Sequence, residues 1–329
     1  MEVAERNGVE GGMADEFVIE ADGLIKRYGD FTAVGGVSFQ VKRGEVFGLL
    51  GPNGAGKTTT MEMIEGLRRP DGGRALVDGF DTVSQLEKVK AIIGVQLQST
   101  SLFDLLTVRE ITEMYASFYK KSVPVEPLLE SMILTEKASA RVKHLSGGQK
   151  QRLAVALALV NDPLVVFLDE PTTGLDPQAR RTLWDIVLKL KEQGKTVVLS
   201  THYMDEAHIL CDRICLMDQG SVIALDTPAN LIRGLAADKT VEFQMPAFAA
   251  MDDDRQERVL GWLGGLAAVS SVEKRQEGFV LYSGDLQSTL TALVSGADGH
   301  GLQLEGLSTR TATLEDVFIQ MTGRSLREA

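Results

Sequence analysis

Apolar and polar positions along the first two thirds of the chain predict strands and helices that follow one another in turn. Continuous apolar runs between polar turns are typical of buried parallel strands, and a repeat near 3.6 residues is typical of a helix with one buried face. The predicted strands are 45–50, 164–168, 196–200 and 214–217, and the predicted helices are 57 to about 67, 179–192 and 205–210. The alternation indicates an α/β domain with a parallel-rich sheet.

A mostly helical segment interrupts this alternation about one third of the way along the chain. Thr107 and Glu110 match a capping box, so we predict that a helix begins there. Pro124 and Pro127 are predicted to break the segment, because proline removes a backbone donor and clashes inside a helix. A further helix is predicted over 147–159.

After about residue 232 the pattern changes to a shorter set of strands and helices. The predicted order is strand, helix, strand, strand, helix, strand and closing helix, over 240–245, 252–263, 271–274, 278–282, 286–294, 301–307 and 314–321. Before the closing helix this is the βαββαβ order of a split βαβ fold. It indicates a small α+β domain.

These patterns divide the chain into three predicted parts. Residues 1–16 are polar and without periodicity, so we predict that they are disordered. Residues 17–232 are predicted to form the α/β domain, with a helical subdomain at about 99–160, and residues 233–329 the small C-terminal domain. A chain of 329 residues is long enough for about two domains.

Composition narrows the possible partners. The formal net charge is −12, and such an acidic surface repels nucleic-acid phosphates, so we expect no nucleic-acid partner. No apolar run approaches the ~18 residues of a membrane span, and the N-terminus lacks a signal-peptide pattern. We therefore expect a cytoplasmic protein, in which another chain supplies the membrane for any membrane process.

A glycine-rich run carries the clearest chemistry. It matches G-x-x-x-x-G-K-[ST] between a predicted strand and a predicted helix, and it consists of Gly51, Pro52, Asn53, Gly54, Ala55, Gly56, Lys57 and Thr58. Its backbone N–H groups and the helix N-terminus would face phosphate. Lys57 would reach the β- and γ-phosphates of ATP, and the Thr58 hydroxyl would bind Mg²⁺. Thr59, the next residue, is also predicted to bind the nucleotide.

Two acids follow the predicted strand 164–168. Asp169, at the carboxyl end of the strand, can reach the Mg²⁺ held by Thr58. Glu170 would point elsewhere and orient or deprotonate the attacking water. The alternative is a solvated acidic pair that opens a turn at Pro171.

The run Leu145-Ser146-Gly147-Gly148-Gln149 resembles the signature pentapeptide of ATP-binding cassette (ABC) ATPases. Ser146, Gly147 and Gly148 would form a helix N-terminus without bulky side chains, which can press on a γ-phosphate. Gln149 belongs to the same predicted nucleotide site. The alternative reading is a helix cap by Ser146 alone.

Four further positions resemble the ABC pattern and are expected to have the roles of their family counterparts. Gln98 resembles the Q-loop glutamine, which contacts Mg²⁺ or water and faces the membrane partner, although Gln96 is a rival. Asp176 resembles the D-loop aspartate, and His202 the switch histidine that contacts the γ-phosphate. Tyr28 resembles the aromatic residue that stacks on adenine, with packing in a strand as the alternative.

The resemblance covers about residues 17–230 and implies a P-loop NTPase of the ABC ATPase class with a helical subdomain. Residues 235–329 resemble the C-terminal segment of daunorubicin/doxorubicin-resistance ATP-binding proteins, on Asp226-Thr227-Pro228 and Leu314-Glu315-Asp316-Val317-Phe318. An ordinary packed helix would also explain the apolar residues of the second run.

The resemblance implies ATP and Mg²⁺ as ligands and a homodimer that sandwiches two ATP molecules. It also implies a separate integral-membrane permease at the cytoplasmic face of the membrane, and export of a drug-like or lipophilic compound. The alternatives are an importer ATPase or a soluble ABC ATPase of translation or DNA repair. The single cassette, without a long coiled coil, disfavours the soluble class.

Overall fold

A computed structural model describes residues 16–98, 101–235, 239–275 and 278–323. The chain divides into two compact units, with the boundary between Pro228 and Ala229, a few residues before the predicted one. The segment 1–16, predicted to be disordered, lies outside the described residues except for its last residue. No helix in the described part of the chain has the length and apolar character needed to cross a bilayer.

The first unit contains two sheets and seven helices within its described residues. Its strands are β1 (Phe17–Tyr28), β2 (Phe31–Lys42), β3 (Val46–Leu50), β4 (Gly72–Val77), β5 (Phe80–Asp81), β6 (Ile93–Gln96), β7 (Val165–Asp169), β8 (Thr196–Thr201), β9 (Arg213–Asp218) and β10 (Ser221–Asp226). Its helices are α1 (Lys57–Ile64), α2 (Leu86–Ile92), α3 (Val108–Ala116), α4 (Val125–Ser131), α5 (Gly147–Leu159), α6 (Pro177–Glu192) and α7 (Met204–Leu210). Helix α8 (Pro228–Arg233) crosses the boundary.

The larger sheet has the strand order β10-β9-β3-β8-β7-β6. Its neighbours from β9 to β6 pair in parallel, which confirms the predicted parallel-rich sheet, and β10 pairs antiparallel with β9. The register sets Leu50 opposite Thr201 and Asp169 opposite Ser200. Because carboxyl ends of parallel strands share one edge, the segments that follow β3, β7 and β8 meet there.

The second sheet of this unit is antiparallel, in the order β2-β1-β4-β5. A shared apolar core contains side chains from both sheets and from α1, among them Ile19, Val41, Phe47, Met61 and Phe167. The strands of both sheets and helix α1 are therefore packed into one body.

The sequence pattern misplaced two helix features. Helix α1 ends at Ile64 rather than near residue 67, because Gly66 adopts a left-handed conformation (φ 74°) that ends the helix. Pro127 does not break a helix; it lies in the first turn of α4, where the missing N–H has no partner to lose.

The capping box predicted at Thr107 is confirmed. The Thr107 hydroxyl accepts a hydrogen bond from the Glu110 backbone N–H, and the Glu110 carboxylate accepts one from the Thr107 backbone N–H. This pair of bonds caps the start of α3. Ser146 and Gln149 form the same reciprocal arrangement at the start of α5. Both helices therefore begin where the sequence places them.

The second unit has the predicted βαββαβ order with a closing helix. Its elements are β11 (Lys239–Gln244), α9 (Asp253–Gly264), β12 (Val269–Arg275), β13 (Gly278–Ser283), α10 (Leu286–His300), β14 (Glu305–Thr311) and α11 (Leu314–Thr322). The sheet order is β12-β13-β11-β14, with antiparallel pairs throughout. Its apolar cluster joins strand residues such as Phe243 and Phe279 to Leu263 of α9 and Leu293 of α10.

Asp316 connects α11 to this sheet. The carboxylate is fully buried and accepts hydrogen bonds from Arg310, Arg275 and the Tyr282 hydroxyl. It also accepts from the backbone N–H and the hydroxyl of Thr313. Burial by itself would raise the pKa of Asp316, but the hydrogen bonds from Arg310, Thr313 and Tyr282 hold it well below its usual range.

We expect Asp316→Ala to lower the free energy of unfolding of the second unit by about 3 kcal/mol. That is the low end for a broken buried ion pair, because both arginines remain about a third exposed. Urea unfolding followed by Trp262 fluorescence in a Trp184→Phe background measures it. The folded-state pKa is depressed, so the stabilisation is present at neutral pH and is lost as the pH falls below about 4.

Asp298→Ala, which removes an exposed acid from α10, is the matched control and should change stability little. Equal effects of the two variants would contradict a special role for Asp316.

Candidate functional site

The glycine-rich loop joins the carboxyl end of β3 to the first turn of α1. A side chain at Gly51 would come within 2.2 Å of the Met217 carbonyl oxygen, and one at Gly56 within 2.6 Å of the Ala33 carbonyl oxygen. Gly56 also has φ 94°, which favours glycine. The close approach of neighbouring backbone therefore requires glycine at both positions.

Lys57, the first residue of α1, turns its ammonium back over the loop. The Nζ atom donates to the carbonyl oxygens of Gly51 (2.8 Å) and Pro52 (2.9 Å) and lies 3.8 Å from Glu170 Oε1. Only 4% of the residue is exposed. The cation is thus enclosed beside the loop backbone that would hold phosphate.

The other residues of the loop differ in accessibility. Pro52 and Ala55 are buried, Asn53 and Gly54 are exposed, and Thr59 is half-buried. The exposed pair lies at the tip of the loop, and the buried pair fixes its base.

Asp169 faces the start of α1. The Thr58 hydroxyl donates to Asp169 Oδ1 at 3.2 Å, and the Ser200 hydroxyl donates to the same oxygen. The register of β7 and β8 places Ser200 directly beside Asp169. The hydroxyl and the carboxylate predicted to hold Mg²⁺ are therefore brought together.

Glu170 has a backbone conformation that separates its side chain from that of Asp169. Its φ of 46° is in the left-handed region, which is costly for a residue with a side chain. The Glu170 N–H donates to Ser200 Oγ at 2.9 Å and secures this turn. The two adjacent carboxylates consequently have different partners.

The Glu170 side chain is the centre of a second group. Gln98 Nε2 donates to Glu170 Oε2 at 3.3 Å, and the Thr173 hydroxyl donates to the same atom at 3.1 Å. His202 Nδ1 lies 3.3 Å from Glu170 Oε1 but lacks hydrogen-bond geometry. With Lys57 near Oε1, Glu170 contacts one residue of its own turn and residues from three separate segments.

Gln96 and Gln98 have distinct positions. Gln96 is buried in β6, and its amide nitrogen donates to the backbone oxygens of Leu97 (2.6 Å) and Asp169 (3.4 Å). Gln98 lies beyond the strand, where its side chain reaches Glu170. Of the two rivals, Gln98 is the one whose side chain contacts the predicted catalytic carboxylate.

The electrostatics of the site favour a cation and an anion together. Burial raises the pKa of Asp169, and the hydrogen bonds from Ser200 and Thr58 offset this rise only in part. Burial also lowers the pKa of Lys57, although Glu170 and Asp169 act in the opposite direction. A magnesium ion near Asp169 and a phosphate near Lys57 would stabilise the charged forms of both.

The donor set fits Mg²⁺. This ion prefers oxygen ligands and is usually bound by one or two protein groups together with substrate phosphates. Thr58 and Asp169 supply a hydroxyl and a carboxylate oxygen on facing elements. The Gln98 amide nitrogen is engaged with Glu170, which leaves its oxygen as the ligand predicted from the sequence.

The signature residues and Asp176 hydrogen-bond locally in the protomer. Ser146 and Gln149 cap α5, while the Asp176 carboxylate accepts from the backbone N–H groups of Gln178 (3.0 Å) and Ala179 (2.9 Å) to cap α6. A side chain at Gly148 would lie 2.8 Å from the Ala179 Cβ, so the two helix starts are close, whereas Gly147 has open space. Nucleotide contacts by these residues remain a prediction.

Tyr28 is the last residue of β1, and 44% of it is exposed. The guanidinium of Arg68 lies 5.4 Å from the ring centroid, and a 2.6 Å hydrogen bond to Glu62 of α1 holds Arg68 in place. The Lys26 ammonium lies 5.9 Å from the same centroid. A purine would contact the exposed part of the ring. Adenine stacking by Tyr28 remains a prediction.

Sequence reasoning missed Ser200 and Thr173 as members of the site. Ser200 bridges Asp169 and the Glu170 backbone, and Thr173 holds the Glu170 side chain. The sequence could have indicated Ser200, since it ends the predicted strand 196–200 and a hydroxyl there can face the end of the neighbouring parallel strand. Thr173 had no comparable signal, because its contact depends on the turn geometry at Glu170.

Comparison with known proteins gives consistent matches. Residues 34–173 match the family model described as ABC transporter. The chain is 38% identical to Nod factor export ATP-binding protein I of Ralstonia nicotianae, over 96% of this chain and 97% of that protein. It is 35% identical to linearmycin resistance ATP-binding protein LnrL of Bacillus subtilis, over 94% of this chain and 100% of that protein.

Solved structures resemble about two thirds of the chain. CbiO1 of Clostridium perfringens, part of an ABC transporter complex, matches with a TM-score of 0.61 and 29% identity over 67% of this chain and 92% of that chain. The dimeric ATP-binding cassette MJ0796, in a post-hydrolysis state with ADP and Pi, matches with a TM-score of 0.58 and 30% identity over 64% of this chain and 98% of that chain.

Proposed function

The chain belongs to the family of ABC transporter ATP-binding subunits, and from that premise we propose that it powers export of a drug-like or lipophilic compound through a separate permease. It is an ATPase of the ABC class. The observation that carries the proposal is the convergence of Lys57, Thr58, Asp169, Glu170 and His202 at one sheet edge, with Gln98 beside them.

The proposed mechanism assigns each side chain a task. Lys57 donates to the β- and γ-phosphates, and the loop N–H groups with the N-terminus of α1 bind the remaining phosphate oxygens. Thr58, Asp169 and Gln98 would hold Mg²⁺, which when bound would supply positive charge to offset that of the phosphates. Tyr28 stacks on adenine, with Arg68 behind its ring.

Glu170 orients the attacking water and accepts its proton. The water oxygen then bonds to the γ-phosphorus as the bond to the bridging oxygen of ADP breaks. Gln98 and Thr173 hold one oxygen of Glu170, which leaves the other oxygen directed toward His202 and Lys57. His202 contacts the γ-phosphate and keeps the water aligned.

We further propose a head-to-tail homodimer that closes on two ATP molecules. The Ser146 cap leaves α5 with a glycine-lined N-terminus whose first residues are exposed or half-exposed. Such a helix end suits a γ-phosphate held by a second copy. The MJ0796 cassette, which is similar to this chain, is dimeric. Hydrolysis would remove the γ-phosphate contact and shift the equilibrium toward the open form.

The helical subdomain is the proposed docking surface for the permease. Exposed apolar side chains concentrate between residues 97 and 119, at Leu97, Phe103, Leu105, Phe118 and Tyr119. A cleft of about 440 Å³ in the same subdomain is lined by Ser101, Leu102 and Asp104 and, on α5, by Lys150, Gln151 and Ala154. Exposed apolar clusters commonly mark protein interfaces. Because the segment follows Gln98, movement at the nucleotide could reach this surface.

Export is favoured over import by the names of the similar proteins, which refer to Nod factor export and linearmycin resistance. The cargo class is proposed as drug-like or lipophilic. The subunit is proposed to bind peripherally at the cytoplasmic face of the membrane, where its permease lies.

Co-purification of the tagged chain from detergent-solubilised membranes tests this function. We expect one polytopic membrane protein to be recovered in stoichiometric amounts, and Phe118→Glu to reduce its recovery at least about tenfold while basal ATP hydrolysis persists. Val83→Glu, at an exposed apolar site after β5, is the matched control and should leave recovery unchanged. Recovery of ribosomes or DNA in place of a membrane protein would contradict the transport function.

A further inference from the structure

Three side chains in successive contact, called the stack below, lie next to the candidate catalytic carboxylate. The rings of His202 and Tyr203 have centroids 4.1 Å apart and planes inclined by 41°. The guanidinium carbon of Arg180, from α6, lies 4.5 Å from the centroid of the Tyr203 ring. The order is therefore Arg180, Tyr203, His202 and then Glu170, which is 3.3 Å from His202 Nδ1.

The position of the His202 ring depends on this packing. Its Nδ1 atom is buried and has no hydrogen-bond partner among the described residues. Most histidines that act at a defined position are oriented by a hydrogen bond on one ring nitrogen. Here the Nδ1 side lacks such a bond, so contact with the Tyr203 ring restricts the tilt of the imidazole.

Within the described ranges Arg180, like His202, has a buried nitrogen without a hydrogen bond and contacts the Tyr203 ring. Its Nε atom is buried and makes no hydrogen bond in the described part of the chain, while its guanidinium lies over the Tyr203 ring. A cation over an aromatic face is attracted by the negative face of the ring. The side chain is therefore placed by the ring rather than by a carboxylate.

The stack also links His202 to α6. The start of α6 lies close to the start of α5, which carries the signature residues. Arg180 follows Ala179, whose Cβ would lie 2.8 Å from a side chain at Gly148 of α5. The Arg180 N–H donates to the Asp176 carbonyl oxygen at 3.0 Å, and the Asp176 carboxylate caps α6. A movement of the start of α6 would move Arg180 with it.

We propose that Arg180 and Tyr203 are positioning residues for ATP hydrolysis, which hold His202 against Glu170 and relate its position to the start of α6. This inference rests on the proposed roles of His202 and Glu170. Neither Arg180 nor Tyr203 touches the nucleotide in this proposal, and both act through the imidazole. The effect belongs to the chemical step rather than to ATP binding.

Steady-state ATPase kinetics of four variants test the proposal. Tyr203→Leu and Arg180→Ala are expected to lower kcat about tenfold with KM for ATP within about twofold of the parent, because a small displacement of a catalytic group costs rate. Tyr203→Phe keeps the ring and should retain nearly the parent kcat, and Arg180→Lys keeps the cation and should recover part of it. These conservative variants also separate the proposed effect from a failure to fold.

Arg181→Ala is the matched control, since it removes the next arginine of α6, which is exposed. Its kcat should equal that of the parent. A loss equal to that of Arg180→Ala would overturn the proposal.

A double-mutant cycle with His202→Ala supplies the decisive readout. If the stack acts through His202, Tyr203→Leu and Arg180→Ala should cause no further loss of kcat once His202 is removed. Losses that multiply with that of His202→Ala would overturn the proposal and leave the role of His202 intact. If His202→Ala itself leaves kcat unchanged, the proposed role of His202 and the positioning stack both fail.

Discussion

Glu170→Gln is expected to lower ATP turnover about a thousandfold while ATP still binds. The substitution keeps the size of the side chain and an acceptor oxygen for Gln98 and Thr173, but it removes the base that would take a proton from water. With hydrolysis blocked, the closed dimer should accumulate in the presence of Mg-ATP. Phosphate release measures the turnover, and size-exclusion chromatography with and without Mg-ATP measures the dimer.

The matched control for this variant is Glu192→Gln, at the exposed end of α6. It makes the same chemical change away from the site and should hydrolyse ATP at the rate of the parent. Persistent turnover by Glu170→Gln would remove Glu170 from the mechanism. A protein that binds ATP, does not hydrolyse it and stays monomeric would contradict the sandwich dimer.

Lys57→Ala is expected to weaken ATP binding about a hundredfold and to abolish measurable turnover. The ammonium is enclosed at the base of the phosphate loop, and a charge-assisted hydrogen bond to phosphate contributes about 1.5–3 kcal/mol. Alanine also leaves the carboxylates of Glu170 and Asp169 without the nearby cation. Calorimetric titration with Mg-ATP gives the affinity.

Two comparisons make the Lys57 result interpretable. Lys189→Ala removes an exposed lysine of α6 and should bind ATP like the parent. Thermal unfolding without nucleotide separates a loss of fold from a loss of affinity, because a folded Lys57→Ala protein is required for the comparison. An unchanged affinity in that folded variant would contradict the assignment of the loop as the phosphate site.

The sequence alone was sufficient wherever the determining interactions are local. The glycine-rich loop is one continuous run, and its chemistry depends on conformations and N–H groups within eight neighbouring positions. The same holds for the capping box at Thr107, in which three residues of separation decide the contact. In the second unit, hydrophobic periodicity predicted the order of the four strands and of helices α9, α10 and α11, although β14 begins at Glu305 rather than at residue 301.

Boundaries and single contacts were less predictable, because they depend on backbone conformation rather than on pattern. Gly66 ended α1 earlier than the apolar spacing indicated, and Pro127 was accommodated in a first turn. The choice between Gln96 and Gln98 required knowing where β6 stops. The left-handed turn at Glu170, which separates two adjacent carboxylates, has no mark in the sequence.

The sequence by itself determined which residues are the candidates for phosphate, metal and proton chemistry, because motifs of fixed spacing encode local geometry. The tertiary structure decided which of them meet, since the order of β3, β8 and β7 in the sheet is set by packing between distant segments. It alone revealed Ser200 beside Asp169, the contacts of the Tyr203 ring with both Arg180 and His202, and the buried Asp316 bound by two arginines. Such contacts join residues far apart along the chain, so no local pattern could specify them.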